Sequence, residues 1–182
     1  MLRSELPAIM APAAANRLIE ALPYKDRRRL LAACEPVELA FADVLAEPGE
    51  RIHHAFFPTT SYISLITPID GCASLEVGLV GDEGMLGISL ILGVDISPLS
   101  ALVQGAGLAL RMEAASFRRE LAFSPALQGM LKRYLHVVMG QLAQSAACAR
   151  FHVVEARLAR CLLMTQDRAQ SDAFYGTHEF LA

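Results

Sequence analysis

Residues 77–93, VGLVGDEGMLGISLILG, decide the fold. This segment begins as an apolar strand, passes through turn residues from Gly81 to Gly84, and continues into a short apolar stretch that contains Gly87. A strand, a glycine-containing loop and a helical turn together aim backbone N–H groups at an anionic ligand. Any tight turn of this kind needs glycine, so the glycines alone do not indicate a ligand site. The short strands before the segment and the long helix after it make that interpretation more specific.

Short strands separated by turns are predicted on both sides of this segment, between residues 36 and 112. Val37, Leu39 and Phe41 alternate with polar or small residues, as expected of a half-buried strand. A hairpin turn is predicted at residues 70–71. The further predicted strands are 54–57, 62–67, 73–80, 101–104 and 108–112. Roughly eight short strands at this spacing predict a β-barrel or β-roll.

Two short helices are predicted before the strands, over residues 16–22 and 26–34. Asp26 is expected to cap the second helix, because its side chain can accept a hydrogen bond from the first free backbone N–H groups. Leu30 and Leu31 are expected to face inward.

A long helix is predicted after the strands, preceded by a short helix over residues 114–122. It begins near Pro125, which suits the first turn of a helix, and runs to about residue 148. Val137 and Met139 broaden its apolar stripe, so we expect one face to pack on the roll and another on a partner chain. A core helix within one domain is the alternative. The predicted homodimer interface comprises Leu127, Leu131, Tyr134, Val138, Leu142 and Ser145.

A hinge at Phe151 and His152 separates the long helix from an amphipathic helix predicted over residues 153–168. The chain ends on THEFLA, in which Thr177 is a candidate N-cap and Glu179 lies in the first turn. A helix begun so close to a terminus cannot stand alone. We therefore expect the chain to be a truncated piece of a longer protein.

The composition is that of a globular protein of 182 residues, with 54% hydrophobic and 19% charged residues. This length is enough for one domain with a sizeable core, or for one domain with a small appendage. The net charge of −3 argues against a nucleic-acid surface within these residues, because such a surface usually shows as a basic patch.

The four cysteines, Cys34, Cys72, Cys148 and Cys161, form no CxxC pair and no metal-like spacing. The N-terminal segment lacks the uninterrupted apolar region of a signal peptide. No stretch approaches the ~18 apolar residues of a membrane span. We therefore expect a reduced, cytoplasmic protein with no membrane partner.

In this order the elements resemble the Crp/Fnr family of bacterial transcription regulators. The resemblance is carried by EPGERIHHAFFPTTSYISL (residues 47–65), EVGLVGDEGMLGISLILG (76–93), QSAACARFHVVEARLARCLLM (144–164) and the closing THEFLA (177–182). It implies an α+β fold. A β-roll or jelly-roll, like that of cyclic nucleotide-binding domains, would follow short N-terminal helices and precede a long C-terminal dimerisation helix.

The resemblance also implies three parts. Residues 16–123 would form the sensor domain, 124–150 the dimerisation helix and hinge, and 151–182 the truncated beginning of a DNA-binding winged helix-turn-helix domain. Members of the family sense a small molecule with the roll, dimerise through the long helix and bind DNA through the C-terminal domain. This chain alone is not expected to bind an operator.

Two departures from the nucleotide-binding members change the expected ligand. In those members a Glu just after the first cassette glycine holds the ribose 2′-hydroxyl, and an Arg followed by Ser or Thr clamps the phosphate. Gly84 and Gly87 match the glycines and Ser100 matches the Ser/Thr position, whereas Met85 and Leu99 occupy the Glu and Arg positions. Each lost charge-assisted contact costs on the order of 1.5–3 kcal/mol. We therefore predict no useful affinity for cyclic AMP or cyclic GMP.

The predicted function is effector sensing and dimerisation in a DNA-binding regulator, not enzymatic catalysis. The candidate ligand site comprises Gly84, Met85, Leu86, Gly87, Leu99, Ser100 and Tyr134. An unidentified small-molecule effector bound there would shift the long helix and re-aim the DNA-binding domains. No cofactor is predicted. A true cyclic-nucleotide sensor is the alternative.

A cupin-like metal enzyme is the rival from another functional class, since it is also a small β-barrel. It would need an HxH pair with further ligands, whereas His53 and His54 are adjacent and point to opposite faces of a strand. His54 is expected to be buried and His53 exposed. An iron–sulfur sensor would need clustered thiolates. Redox sensing by Cys72 and a haem held by one His or Cys both stay open.

Overall fold

The computed structural model describes residues 15–68 and 74–169. Two short helices, α1 (Arg17–Glu20) and α2 (Tyr24–Ala32), precede the strands. The strands within the described residues are β1 (Glu35–Leu39), β2 (Val44–Ala46), β3 (His54–Pro58), β4 (Tyr62–Thr67), β5 (Leu75–Val80), β6 (Ser100–Gly105) and β7 (Gly107–Glu113). A 3₁₀ helix (Ile88–Leu92) lies between β5 and β6, and the last elements are α3 (Ala114–Phe123), α4 (Pro125–Phe151) and α5 (Val154–Ala169).

The strands form two antiparallel sheets, in the orders β1-β7-β3 and β2-β6-β4-β5. Strands β6 and β7 are consecutive but belong to different sheets, so the chain crosses from one sheet to the other at this point. This arrangement, with helices before and after it, is the α+β β-roll that the sequence predicts. The fold prediction is confirmed.

One core fills the space between the two sheets. Its buried members include Phe56 of β3, Ile63 of β4, Val80 of β5 and Val103 of β6. Neighbouring residues on a strand point to opposite faces, so Phe56 enters this core while the adjacent Phe57 points away from it.

A second core joins the helices to the outer face of the β3 sheet. Phe57 packs against Phe117 of α3 with ring centroids 6.4 Å apart. Leu30 of α2, Met85 of the cassette and Leu131 of α4 are fully buried in the same cluster. The glycine-containing cassette is thus held between the roll and the long helix.

The long helix α4 begins as its sequence predicts and ends three residues after the predicted end near residue 148. The Ser124 hydroxyl accepts a hydrogen bond from the Leu127 backbone N–H at 3.0 Å, and Pro125 occupies the first turn. The helix runs for 27 residues to Phe151, a length of about 40 Å. His152 is extended and separates α4 from α5, which confirms the predicted break.

Three local predictions are wrong. Helix α2 begins at Tyr24 with Pro23 at the cap position, so Asp26 lies inside the first turn and does not cap the helix. Leu31 is exposed, because Leu30 alone fills the place that α2 presents to the core. Phe41 is exposed because β1 ends at Leu39.

The predicted hairpin turn at residues 70–71, Cys72 and the predicted helix start at residues 177–182 lie outside the described residues. Strands β4 and β5, which that turn would join, pair in antiparallel register from Ile63 opposite Val80 to Thr67 opposite Leu75.

Candidate functional site

A cavity of about 400 Å³ opens between the roll and the cassette. Its walls come from β2, from the segment that leads into β3, from Leu65 of β4, from the cassette at residues 85–89 and from the loop at residues 97–99. Ligand pockets usually have volumes of about 300–1,000 Å³ and mostly apolar walls. The cavity is therefore large enough for a small organic ligand.

Four of the predicted site residues line this cavity: Met85, Leu86, Gly87 and Leu99. The cassette is fixed there by a pair of backbone hydrogen bonds, in which the N–H of Leu86 donates to the carbonyl of Phe56 at 2.9 Å and the reverse bond is 3.2 Å long. Gly87 has a φ of +92°, a conformation that strongly favours glycine. These four residues thus lie together at one cavity wall, and their role in ligand binding stays a prediction.

Gly84 of the cassette and Tyr134 of α4 do not line the cavity. The Met85 backbone N–H donates a hydrogen bond to the Tyr134 hydroxyl at 3.2 Å. A Cβ atom on residue 84 would lie only 2.8 Å from Cζ of Tyr134, so glycine is needed for this close approach. The pair couples the cassette backbone to α4.

Ser100 is the third predicted site residue that does not line the cavity, and its hydroxyl binds another side chain. Its hydroxyl donates a hydrogen bond to the Glu47 carboxylate at 2.8 Å. Ser97 lines the cavity, and its hydroxyl donates to the backbone carbonyl of Leu99 at 2.7 Å. Both hydroxyls thus stabilise the loop before β6.

The charged side chains at the cavity are Glu50 and Arg51. The Arg51 guanidinium binds the Asp95 carboxylate through two nitrogens, each 2.9 Å from the same oxygen. A second arginine, Arg118, lies 3.3 Å from that oxygen. The hydrogen bond from Arg51 lowers the pKa of the Asp95 carboxyl, and Asp95 therefore stays ionised and keeps Arg51 engaged.

Both adjacent histidines line the cavity. His53 is exposed, as predicted, whereas His54 is half-buried and packs beside Phe56 with ring centroids 6.0 Å apart. In residues 15–68 and 74–169, no three His, Cys, Asp or Glu side chains come close enough to hold a metal ion. The metal ligands that a cupin-like enzyme requires are thus not found in this part of the chain.

Helix α5 packs on β5 and on the loop that precedes the cassette. The Arg168 guanidinium is 2.8 Å from the Glu83 carboxylate, and its side chain is 7% exposed. Arg168 also donates a hydrogen bond to the backbone carbonyl of Met164, at 2.9 Å. The sequence analysis did not identify this ion pair, because its partners are 85 positions apart and only the fold brings them together.

Glu76 of β5 lies in the same contact region. It accepts a hydrogen bond from the Ser64 hydroxyl at 2.6 Å. Burial raises the pKa of its carboxyl from 4.5 to about 7, while the Ser64 hydrogen bond and the Arg168 charge lower it. Burial, followed by the charge of Glu76, raises the pKa of the Cys161 thiol on α5 to about 11, so this thiol stays protonated near neutral pH.

The predicted stripe on α4 faces its own chain. Leu127 and Leu131 are fully buried and Tyr134 is nearly so, while Val138 packs against the same core. Burial within the chain removes Leu127 and Leu131 from any partner-facing surface, which corrects their assignment to a dimer interface. The large exposed apolar side chains on the helix are Val137 (53% exposed), Met139 (60% exposed) and, at its last residue, Phe151 (77% exposed).

The last two residues of the stripe also lie beside other elements of the same chain. Leu142 lies in a crevice beside β5, together with Val77. The Ser145 hydroxyl accepts a hydrogen bond from Arg160 of α5 at 3.1 Å. Cys148 and His152 are in contact, with Sγ and Nδ1 3.3 Å apart.

No helix within the described residues is long and apolar enough to cross a membrane. No protein-family model matches the chain, and no curated protein matches it by sequence.

Solved structures match the chain by fold. The c-di-GMP responsive global regulator CLP of Xanthomonas campestris superposes with a TM-score of 0.68 and 15% identity, over 83% of this chain and 76% of that one. FixK2 of Bradyrhizobium japonicum gives 0.64 and 9%, over 74% and 67%. The catabolite activator protein of Thermus thermophilus gives 0.61 and 15%, over 90% and 77%.

The fold is Crp/Fnr-like. The resemblance drawn from the sequence is therefore confirmed for the roll, the cassette and the long helix. A cyclic nucleotide-binding domain from Methylobacillus flagellatus shares the fold at a TM-score of 0.59, over 76% of this chain. At 9–15% identity these likenesses describe the Crp/Fnr-like architecture and leave the ligand to be argued from the side chains of this chain.

Proposed function

We propose that this chain is the effector-sensing and dimerisation part of a Crp/Fnr-type DNA-binding transcription regulator whose cyclic-nucleotide site is degenerate. In this proposal residues 16–123 are the sensor domain and residues 124–150 the dimerisation helix and hinge. Residues 151–182 begin the DNA-binding winged helix-turn-helix domain. CLP is a c-di-GMP responsive global regulator, and the shared fold supports a regulatory role and not an enzymatic one.

One observation carries the degenerate site: apolar side chains stand where a nucleotide needs charges. Leu99 lines the cavity in place of the arginine that the family resemblance places there. Met85 is fully buried and packs in the core between the roll and α4. A carboxylate at Met85 would be a buried charge without a partner, so the surroundings of this residue also disfavour the family's Glu.

The binding free energy lost through these two replacements is large enough to abolish useful affinity for cyclic nucleotides. A hydrogen bond to a charged group contributes about 1.5–3 kcal/mol. The loss of two such contacts weakens binding by roughly a hundredfold or more. Arg51 does not replace the missing arginine, because its guanidinium is already bound to Asp95.

Contacts behind the cassette support the sensing role. Tyr134 joins the cassette backbone to α4, and Glu83 joins the loop before the cassette to α5 through Arg168. A ligand that moves Met85 and Leu86 therefore acts on a loop that already contacts both C-terminal helices. This is the kind of contact by which an effector biases one conformation over another.

Calorimetric titration with cyclic AMP and cyclic GMP tests the proposal. We expect no heat and no thermal shift at millimolar nucleotide. The variant Leu99→Arg supplies one missing cation, and its nucleotide affinity is expected to rise relative to the parent chain. Micromolar binding by the parent chain would show instead that the protein is a true cyclic-nucleotide sensor.

A further inference from the structure

We propose that the cavity binds an uncharged molecule that is mostly hydrocarbon, with at most one neutral polar group near the cavity mouth. This inference rests on the sensor function proposed above and names the chemical class of its effector. Three observations carry it: the apolar walls, the engagement of the cavity's arginine, and the engagement of its serine.

Apolar side chains from every wall face the cavity. They include Val44 of β2, Phe56 of β3, Leu65 of β4, Leu86 and Ile88 of the cassette region, and Leu99 of the loop before β6. Walls of this kind bind a ligand by removing its apolar surface from water. A volume of about 400 Å³ accommodates a small organic molecule.

An anionic ligand finds no free lysine or arginine in the part of the cavity wall that the structure describes. Among the described residues that line it, Arg51 is the sole lysine or arginine, and its guanidinium is bound to Asp95. Glu50 also lines the cavity and would repel an anion. A phosphate or carboxylate group would therefore lose its water without gaining a partner.

The polar groups that line the cavity limit which polar groups the ligand can carry. The Ser97 hydroxyl is bound to the Leu99 carbonyl, which leaves His53, His54 and Ser89 as further polar lining groups that can meet a ligand. An imidazole or a hydroxyl can form a hydrogen bond with one alcohol, ketone or amide group. The ligand class is thus a hydrocarbon body with a single neutral polar head.

Fluorescence of N-phenyl-1-naphthylamine, an uncharged apolar probe, tests this assignment on the purified 182-residue chain. We expect saturable binding with enhanced emission, displacement by decan-1-ol, and much weaker displacement by decanoate. Cyclic AMP at the same concentration is expected to leave the emission unchanged.

Two variants locate the probe. Leu99→Arg places a cation in the cavity and is expected to weaken probe binding roughly tenfold or more, because the new charge must be desolvated. Leu92→Arg is the matched control, since Leu92 is exposed and does not line the cavity. Ala46→Phe fills part of the cavity from the edge strand β2, and it gives an independent answer if the arginine variant fails to fold.

The outcomes separate the ligand class from the sensor function. Probe binding that neither cavity variant weakens would place the probe elsewhere and overturn the inference. An absence of probe binding would also overturn it. The degenerate-site proposal would still stand if cyclic nucleotides gave no heat in the calorimetric titration. Displacement of the probe by micromolar cyclic AMP would overturn both.

Discussion

Arg168 and Glu83 form an ion pair of 2.8 Å that fastens α5 to the loop before the cassette. The arginine side chain is 7% exposed and the glutamate side chain 26%. Desolvating a charge is costly unless a partner compensates for it. The pair therefore makes the position of α5 depend on the conformation of the cassette loop.

We predict that Arg168→Met destabilises the chain by about 3 kcal/mol, because it leaves the Glu83 carboxylate partly buried and unpaired. Chemical denaturation measures the loss, and hydrogen exchange should show faster exchange along α5 and β5. Arg157→Met is the control, since Arg157 lies exposed on the same helix. The double variant with Glu83→Gln should recover part of the stability; a double variant as unstable as the sum of the single variants would exclude a direct interaction.

The pH dependence of stability is predicted to contain a contribution from Glu76. Tyr62 and Ser64 of β4, and Cys161 and Arg168 of α5, are the groups that interact with this carboxyl. Its pKa is about 7 in the fold against an ordinary 4.5, so the folded state binds the proton more tightly. The stabilisation is complete below the ordinary pKa and is lost as pH rises through about 7, a change of roughly 3 kcal/mol.

The variant Glu76→Gln isolates this contribution, because glutamine keeps a neutral side chain at every pH. Its stability relative to the parent chain is expected to increase between about pH 5 and pH 8. Glu38→Gln serves as control on an exposed site of β1. A stability difference that does not change with pH would show that Glu76 is ionised throughout this range.

Local patterns predicted the elements, whereas the cassette residues were predicted from the family resemblance. Short strand-like runs separated by turn residues identified β3, β4, β6 and β7. Pro125 marked the start of α4, because proline suits the first turn of a helix. Met85, Leu86, Gly87 and Leu99 could be placed at the cavity because the family resemblance fixes their register.

Long-range chemistry could not be predicted in this way. The contact of Arg168 with Glu83 depends on how α5 packs after the hinge, which no local pattern encodes. The apolar stripe on α4 identified a buried face, but periodicity does not say which chain buries it. Leu127 and Leu131 are therefore correct as buried positions and wrong as partner-facing ones.

Gly84→Ala is predicted to destabilise the chain by about 1–3 kcal/mol, the usual cost of overpacking. The added Cβ would lie 2.8 Å from Cζ of Tyr134, so one of the two elements must shift. Tyr134→Phe removes the hydroxyl and leaves the Met85 N–H without its partner, which costs about 1–3 kcal/mol.

A double-mutant cycle tests the contact between these two residues. Because the phenylalanine variant also removes the closest obstacle to an alanine at position 84, the double variant should be more stable than the sum of the single changes implies. Gly140→Ala is the control, since a Cβ there would meet open space. If the changes in the free energy of unfolding were strictly additive, residue 84 and Tyr134 would not interact directly.

The proposed homodimer should depend on the exposed side of α4. Between Arg133 and Arg150, where no charged residue occurs, its large exposed apolar residues are Val137 and Met139. An unpaired charge buried against a partner helix is strongly destabilising. We therefore predict that Val137→Asp or Met139→Asp converts the dimer to a monomer in sedimentation analysis. Val94→Asp, which changes an exposed valine after the 3₁₀ helix, should leave the mass unchanged. If both helix variants stay dimeric while their thermal unfolding is normal, the dimer forms through another surface.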